Sequence, residues 1–372
     1  MRIVHVITGL DVGGAESMLL QLIRASGYPG QEHAVLTLTS ASSMVPQFEA
    51  LGVTVTCLHA HGLGGMAALF KAKMLIKSFR PDVVMTWMHH SDFFGAMLKI
   101  TAPSLRLVWN IRCSKLSPAD LPWRNLLIVR LLAGLSWLPN AIVTNSVAGK
   151  REHIALGYRS GGWHLLPNGF DTARFAPDRE AGARVRIEAG IPQHAFIVGL
   201  VARYHPMKGF DLFMRMAGRL TKTERKFHFV LAGEGVDRNN EELMQLVAVN
   251  KLEGRIALLG PRRDIADVMN AFDVIACTST SEGFSNVIGE AMACGVPCVA
   301  TDVGDNALIV GPAGTVVAPG DADALVVALA EMAKLPDQSF QKLKSEARRQ
   351  ILKKFAIQDI ASQYKNFFDG MG

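Results

Sequence analysis

Twice along this chain, short apolar runs bounded by turn formers alternate with longer segments of helical period, and no other feature narrows the fold as much. The first series places strands near residues 2–8, 33–38, 53–57, 82–86, 106–110 and 141–144. The second places them near 196–202, 227–232, 256–259, 273–277, 297–300 and 315–317. Strands that alternate with helices pair in parallel through right-handed crossovers, so each series predicts a wound α/β sheet. Between the series, Leu166-Pro167-Asn168-Gly169-Phe170-Asp171 is rich in turn formers and reads as a boundary. The expectation is two Rossmann-like domains, 1–170 and 171–354, facing across a cleft. The last stretch, 355–372, has a helical pattern and is expected to return to the first domain.

Composition agrees with this reading. Of 372 residues, 49% are hydrophobic and 19% charged, which allows a large core and excludes wholesale disorder. Thirty-four glycines and only 7% aromatics suit many tight strand-to-helix turns. No apolar run reaches the ~18 residues of a membrane span, and Met1–Ile7 reads as a strand rather than a signal peptide. The five cysteines are odd in number and hold no C-x-x-C pair. That pattern argues against a disulfide framework or a structural zinc site and suits a reducing cytoplasm.

Open parallel sheets bind ligands outside the carboxyl ends of their strands. After the first strand, Gly13 and Gly14 stand at a helix start, where bare backbone can approach an anion or a sugar. The spacing matches neither G-x-G-x-x-G nor a Walker loop, and a tight turn without ligand is the plain alternative. In the second series, Arg203 and Lys208 lie at a strand's end and in its loop, placed to neutralise a diphosphate. Surface charge would explain them equally if they stood alone. Then comes Ser281-Glu282-Gly283-Phe284-Ser285-Asn286-Val287-Ile288-Gly289-Glu290, of which 285 onward reads as a helix to 293. Glu282 precedes that helix and Glu290 lies more than a turn inside it. Two carboxylates would then flank one anion site at a helix N-terminus, as acceptors for sugar and ribose hydroxyls.

With these residues in view, the chain resembles the retaining GT-B glycosyltransferases of family 4, over essentially its full length. Members of that type serve bacterial polysaccharide or lipid-linked glycan biosynthesis. The likeness is carried by Gly13-Gly14-Ala15-Glu16, Pro167-Asn168-Gly169-Phe170-Asp171, Arg203 with Lys208-Gly209, the E-x7-E pattern from Glu282 to Glu290, and Thr301-Asp302-Val303-Gly304-Asp305-Asn306. It implies a GT-B fold with an N-terminal acceptor domain and a C-terminal donor domain. The implied reaction moves a hexose or N-acetylhexosamine from a nucleotide-sugar to a glycan or lipid-linked acceptor, without a metal or other cofactor. UDP is the implied nucleotide, with GDP the alternative. Arg203 and Lys208 would clamp the donor diphosphate, Glu282 would contact sugar hydroxyls, and Glu290 the ribose. Gly283, Phe284 and the amides of Ser285, Asn286 and Val287 would border the phosphates. Gly13 and Gly14 would face the diphosphate or sugar, and Gly260 and Arg262 would line the base pocket. After Leu107-Val108-Trp109, where many relatives carry a histidine, this chain has Asn110-Ile111-Arg112-Cys113. Arg112, Glu16, His89 and His90 are the acceptor-side candidates. No pair of carboxylates arranged for double displacement is evident, so a front-face substitution driven by charge stabilisation is expected.

The net charge of +6 is uneven. Residues 1–170 carry 15 basic and 8 acidic side chains, and 71–130 alone carry 10 and 3, so one window holds an excess of +7. There Lys71, Lys73, Lys77 and Arg80 punctuate Met66, Phe70, Met74 and Phe79, and further on Trp123 and Leu126–Leu132 alternate with arginines. Basic amphipathic segments of this kind bind anionic membranes, which predicts a peripheral protein on the inner face of the cytoplasmic membrane. Nucleic acid is not expected, because stacking platforms and a recognition motif are missing. Asp321-Ala322-Asp323 has the spacing of a metal-binding D-x-D but sits where a helix cap belongs. Two other functions fit the same architecture: a UDP-sugar epimerase, and a non-catalytic partner in a glycan assembly complex.

Overall fold

The computed structural model describes residues 1–11, 13–26, 31–40, 43–60, 65–113, 123–223 and 226–371. The chain divides into two units, Met1–Gly169 with the segment from Ile357 onward, and Phe170–Ala356. The predicted boundaries at 170/171 and 354/355 lie within two residues of these divisions.

The first unit runs β1 (Arg2–Ile7), α1 (Gly14–Ala25), β2 (Glu32–Thr37), α2 (Val45–Glu49), β3 (Thr54–Cys57), α3 (Gly65–Phe79), β4 (Val83–Trp87), α4 (His89–Thr101), β5 (Leu107–Ile111), α5 (Trp123–Leu135), β6 (Ala141–Thr144), α6 (Val147–Ala155) and β7 (Trp163–Leu165). Its sheet is parallel, in the order β3-β2-β1-β4-β5-β6-β7. Successive strand residues point to opposite faces. Ile3 and Ile7 therefore pack with Met18, Leu19 and Leu22 of α1 on one face. Val4 and Val6 pack on the other with Ala68 and Ala72 of α3, Leu98 of α4 and Leu132 of α5.

The second unit runs α7 (Arg179–Glu188), β8 (Phe196–Val201), α8 (Phe210–Thr223), β9 (Phe227–Ala232), α9 (Glu241–Val249), β10 (Ile256–Leu258), α10 (Ile265–Asn270), β11 (Val274–Cys277), α11 (Asn286–Ala293), β12 (Cys298–Thr301), α12 (Asn306–Val310), β13 (Gly314–Val317), α13 (Ala322–Lys334) and α14 (Asp337–Lys354). Its parallel sheet has the order β10-β9-β8-β11-β12-β13. Helices α8, α9 and α13 cover one face, and α7, α10, α11 and α14 the other.

The last helix, α15 (Ile357–Asp369), belongs to the first unit. Its buried residues Ile357, Ile360, Ala361, Tyr364 and Phe368 recur at helical spacing and form one apolar stripe. That stripe packs with α1 on the first sheet. In both sheets the chain starts mid-sheet, winds outward, then crosses back to the other side. The reversal falls between β1 and β4 in one unit and between β8 and β11 in the other, the points where such sheets open for a ligand.

Candidate functional site

In the second unit, the loops that leave β8 and β11 are stitched together at that reversal. After β8 a short 3-10 turn, Pro206–Lys208, ends on Gly209, whose φ of 65° is left-handed. A Cβ at Gly209 would collide with the backbone carbonyl of Thr278, just past β11. The Thr278 hydroxyl donates to the carbonyls of Lys208 (3.1 Å) and Gly209 (3.0 Å), and the Thr280 amide to that of Met207 (2.9 Å). Only glycine satisfies both the left-handed φ and this close approach.

The stitching carries Lys208 to Glu282. Lys208 Nζ donates to Glu282 Oε1 at 2.7 Å, and the Ser279 hydroxyl donates to the same oxygen at 2.7 Å. Both partners are half-buried, so this charge-assisted bond is sheltered from solvent. Together with Cys277, Thr278, Ser279 and Val287 they line a small cavity at the strand ends. The following loop closes over Glu282 from behind: the Asp305 amide donates to the Gly283 carbonyl (3.0 Å), and a Cβ at Gly304, φ 59°, would meet the Glu282 carbonyl.

Helix α11 starts at this point. Ser285 is its N-cap without a side-chain cap bond, Phe284 and Ser285 are buried, and Gly283, Asn286 and Val287 are half-buried. Gly289 lets α11 lie on the Phe170 ring, which a Cβ would strike. Glu290, in the second turn, is pushed up to about 7 by burial, against an opposing pull from Arg174. Arg203 is exposed at the end of β8. Gly260, φ 66°, is buried, and its carbonyl accepts from the Gly233 amide (2.8 Å). Arg262 is gripped by Glu188 and Asp264. Its guanidinium is thus held in an ion triad, and any contribution to a base pocket falls to its stem and backbone.

In the first unit, Gly13, Gly14 and Glu16 follow β1, His89 and His90 follow β4, and Arg112 follows β5, so all the predicted residues there sit at the ends of three adjacent strands. Gly13 is the N-cap of α1, and a Cβ there would collide with the Glu16 carboxylate folded over it. Burial raises the Glu16 pKa, with Asp11 adding to the effect. Gly14 is exposed. His90 is exposed, whereas His89 turns inward toward His153 and Cys113. Arg112 is committed elsewhere. It donates to Asn168 and to the Tyr364 hydroxyl of α15 and lies 4.6 Å over the Trp87 ring. Its guanidinium clasps α15 to the sheet instead of standing open at the strand end.

The sequence reading missed Thr278 and Ser279, and it quoted Gly209 for the family likeness without the turn that it makes. Their signal was positional: each follows a predicted strand on one side of the reversal. The D-x-D spacing resolves as a cap, with Asp321 accepting from the Ala324 amide at 2.9 Å.

Two family models cover most of the chain: Glycosyltransferase Family 4 over residues 12–174, and Glycosyl transferases group 1 over residues 195–334. The chain belongs to glycosyltransferase family 4. As a family 4 glycosyltransferase, it is an enzyme of the transferase class. It is 26% identical over 312 residues to the putative glycosyltransferase EpsF of Bacillus subtilis, covering 81% of this chain and 79% of that one. It is 27% identical over 211 residues to the UDP-Gal:alpha-D-GlcNAc-diphosphoundecaprenol alpha-1,3-galactosyltransferase of Escherichia coli, 56% of this chain and 54% of that one. In fold it matches Anabaena Alr3699/HepE, solved in complex with UDP, with a TM-score of 0.86 at 24% identity over the whole of both chains. Sucrose-phosphate synthase of Thermosynechococcus elongatus matches with a TM-score of 0.81 at 19% identity, over 100% of this chain and 99% of that one. The two wound parallel sheets are those of the GT-B fold.

Proposed function

We propose that this glycosyltransferase moves a hexose or N-acetylhexosamine from a UDP-sugar to a lipid-linked or oligosaccharide acceptor, with retention of configuration and without a metal ion. The observation that carries the reading is the Lys208–Glu282–Ser279 constellation at the β8/β11 reversal, beside the N-terminus of α11. Cation, helix terminus and carboxylate match the three parts of a donor: diphosphate, its developing charge, and the sugar hydroxyls. UDP is supported by the HepE complex, and a lipid-linked acceptor by the diphosphoundecaprenol in the name of the Escherichia coli relative.

Chemistry follows from charge placement. A diphosphate entering the cavity draws the Lys208 ammonium, and Ser279 continues to hold Glu282 for the sugar. Arg203 and Lys208 then stabilise the departing UDP while the acceptor oxygen attacks from the same face, its proton passing to the leaving phosphate. Glu290 accepts from the ribose. Peripheral attachment to an anionic membrane through residues 71–130 supplies the acceptor. Its support is the set of exposed apolar and basic side chains on α3 and α5.

The test is turnover of UDP-hexoses with a lipid-linked acceptor, without added magnesium or manganese. Arg203→Ala and Lys208→Ala are each expected to lower kcat/KM by roughly 10²–10³, the cost of one preorganised charge. Near-wild-type rates in both variants would overturn the assignment, and an inverted anomeric centre in the product would overturn retention.

A further inference from the structure

Away from the donor cavity, three side chains from separate segments of the first unit converge: His89 at the start of α4, Cys113 two residues past β5, and His153 in α6. We propose that His89, Cys113 and His153 bind one zinc ion that fastens the ends of β4 and β5 to α6.

The geometry points to a metal. One donor atom from each residue lies within 4.8 Å of the other two. His89 Nε2 and His153 Nε2 are 2.9 Å apart, and Cys113 Sγ is 3.6 Å from His89 Nε2. A tetrahedral zinc with ordinary bond lengths needs edges of about 3.3 Å between two imidazole nitrogens and about 3.6 Å between sulfur and nitrogen. Of the three edges, that from Cys113 to His89 is already right, the one between the histidines needs the rings to part by about 0.4 Å on the same bond lengths, and the one from Cys113 to His153 spans at most 4.8 Å.

The surroundings prepare the same ligands. His153 Nδ1 lies 2.7 Å from the Gly149 carbonyl one helical turn earlier. That nitrogen therefore carries the proton, and the Nε2 lone pair is aimed at the cluster, the usual outer support of a zinc-bound histidine. A Cβ at Gly149 would come 3.2 Å from the Cys113 carbonyl, so glycine lets α6 approach the cysteine. Met88, just before His89, holds a φ of 72°, a conformation costly for any residue but glycine. Its amide is nonetheless tied to the Asn110 carbonyl (3.2 Å), and this turn directs His89 inward.

One turn into α4 from His89, a carboxyl group is fully buried as well. Asp92 accepts from the Thr86 hydroxyl through one oxygen, while Oδ2 is buried without a partner. Imidazole and thiolate donors select zinc over magnesium or calcium, which need oxygen ligands. On binding, the thiol loses its proton to solvent and His89 presents its Nε2 lone pair, leaving a fourth position for water. The ion takes no part in the donor chemistry. Because the ligands lie 24 and 64 residues from His89, no local spacing announces them.

The experiment uses the full chain, stripped with chelator, desalted and titrated with zinc chloride, then with cobalt(II) as a spectroscopic stand-in. One zinc per chain after desalting is expected, with a thiolate-to-cobalt charge-transfer band and tetrahedral visible bands. Cys113→Ser should abolish the charge-transfer band, and His89→Gln should weaken zinc retention at least tenfold. Cys57→Ser, a cysteine outside the cluster, should bind like wild type. A zinc-dependent rise in melting temperature is expected in wild type and Cys57→Ser alone. No retained zinc in the wild type, or uptake unchanged in both Cys113→Ser and His89→Gln, overturns the proposal. Where His89→Gln unfolds, the Cys113→Ser spectrum decides.

Discussion

Glu290 lies at the centre of α11 with its pKa raised from 4.5 to about 7, and the main cause is burial. A carboxyl whose folded pKa exceeds its unfolded value binds more protons in the native state. Its contribution is neutral below the unfolded value and becomes a growing penalty as pH rises from about 4.5 to about 7. Converted at 1.36 kcal/mol per unit, that penalty is ~3 kcal/mol at most. Glu290→Gln should therefore gain stability over wild type at pH 8 and not at pH 4.5, read by denaturant unfolding at both values. Ribose hydroxyls that donate to the carboxylate favour its charged form, so wild-type affinity for UDP should climb toward pH 7. The glutamine variant should bind more weakly and lose that component of the climb, which calorimetry on both proteins separates from titration of UDP itself. A stability difference independent of pH would mean that Glu290 does not titrate in this window. At this scale the proposed donor residues stood out as candidates because Arg203, Lys208 and Glu282 each lie in a loop that follows a strand, and Glu290 in the helix that such a loop opens. The role of Arg112 did not stand out. Its partner Tyr364 stands 252 residues away, and a pattern of neighbours cannot reveal a clasp made by the returning helix.

Between single side chains and the fold lie the loops that hold them, and the turn at Gly209 has the narrowest tolerance. Its left-handed φ and its contact with the Thr278 carbonyl both exclude a Cβ. Gly209→Ala should cost about 2–4 kcal/mol, from a strained φ and overpacking together. The 206–209 turn should shift and carry Lys208 away from Glu282, lowering kcat/KM by more than the loss of stability explains. Steady-state kinetics at a temperature where the variant is fully folded checks this, and unchanged kinetics would show that the turn can relax without moving Lys208. Elements of this kind are partly visible beforehand. Buried parallel strands such as Ile3–Ile7, Val83–Trp87 and Phe227–Ala232 are apolar runs broken only by His5, Thr86 and His228, so their positions follow from local composition. Strand β7 is a three-residue edge strand with two exposed positions, and it leaves no such run. The order of strands in the sheet depends on crossovers between distant segments. Only the alternation of strands and helices was there to suggest it.

At the scale of the molecule, charge is uneven along the chain: residues 1–170 carry a net +7 and residues 171–372 a net −1. No described helix is long and apolar enough to cross a membrane, and the proposed attachment is one of surface chemistry. The exposed apolar residues of α3, Met66, Phe70 and Met74, recur every four residues, as do Trp123, Leu127 and Leu131 on α5. Both helices pack against α4, on the same face of the first sheet, so the two stripes share one side of the unit. Exposed Lys71, Lys73, Lys77, Arg124 and Arg130 lie among them, while residues 114–122 of the basic window fall outside the described part of the chain. Lys71 and Lys73 also donate to the carbonyls of Cys57 and Thr101, bonds at the surface whose loss costs little. Each basic side chain near an anionic leaflet contributes about 1 kcal/mol. Reversing Lys71, Lys73 and Lys77 to Glu removes three attractions and adds three repulsions, a swing of several kcal/mol on the same scale. The triple variant should fail to sediment with phosphatidylglycerol vesicles and should lose activity on a lipid-linked acceptor. Turnover of a short soluble acceptor should stay at the wild-type rate, because no donor residue lies on α3. High salt should weaken the wild type in the same direction, since the attraction is screened. Vesicle binding that survives all three reversals would leave the basic window a solvated face and the acceptor free to arrive from solution.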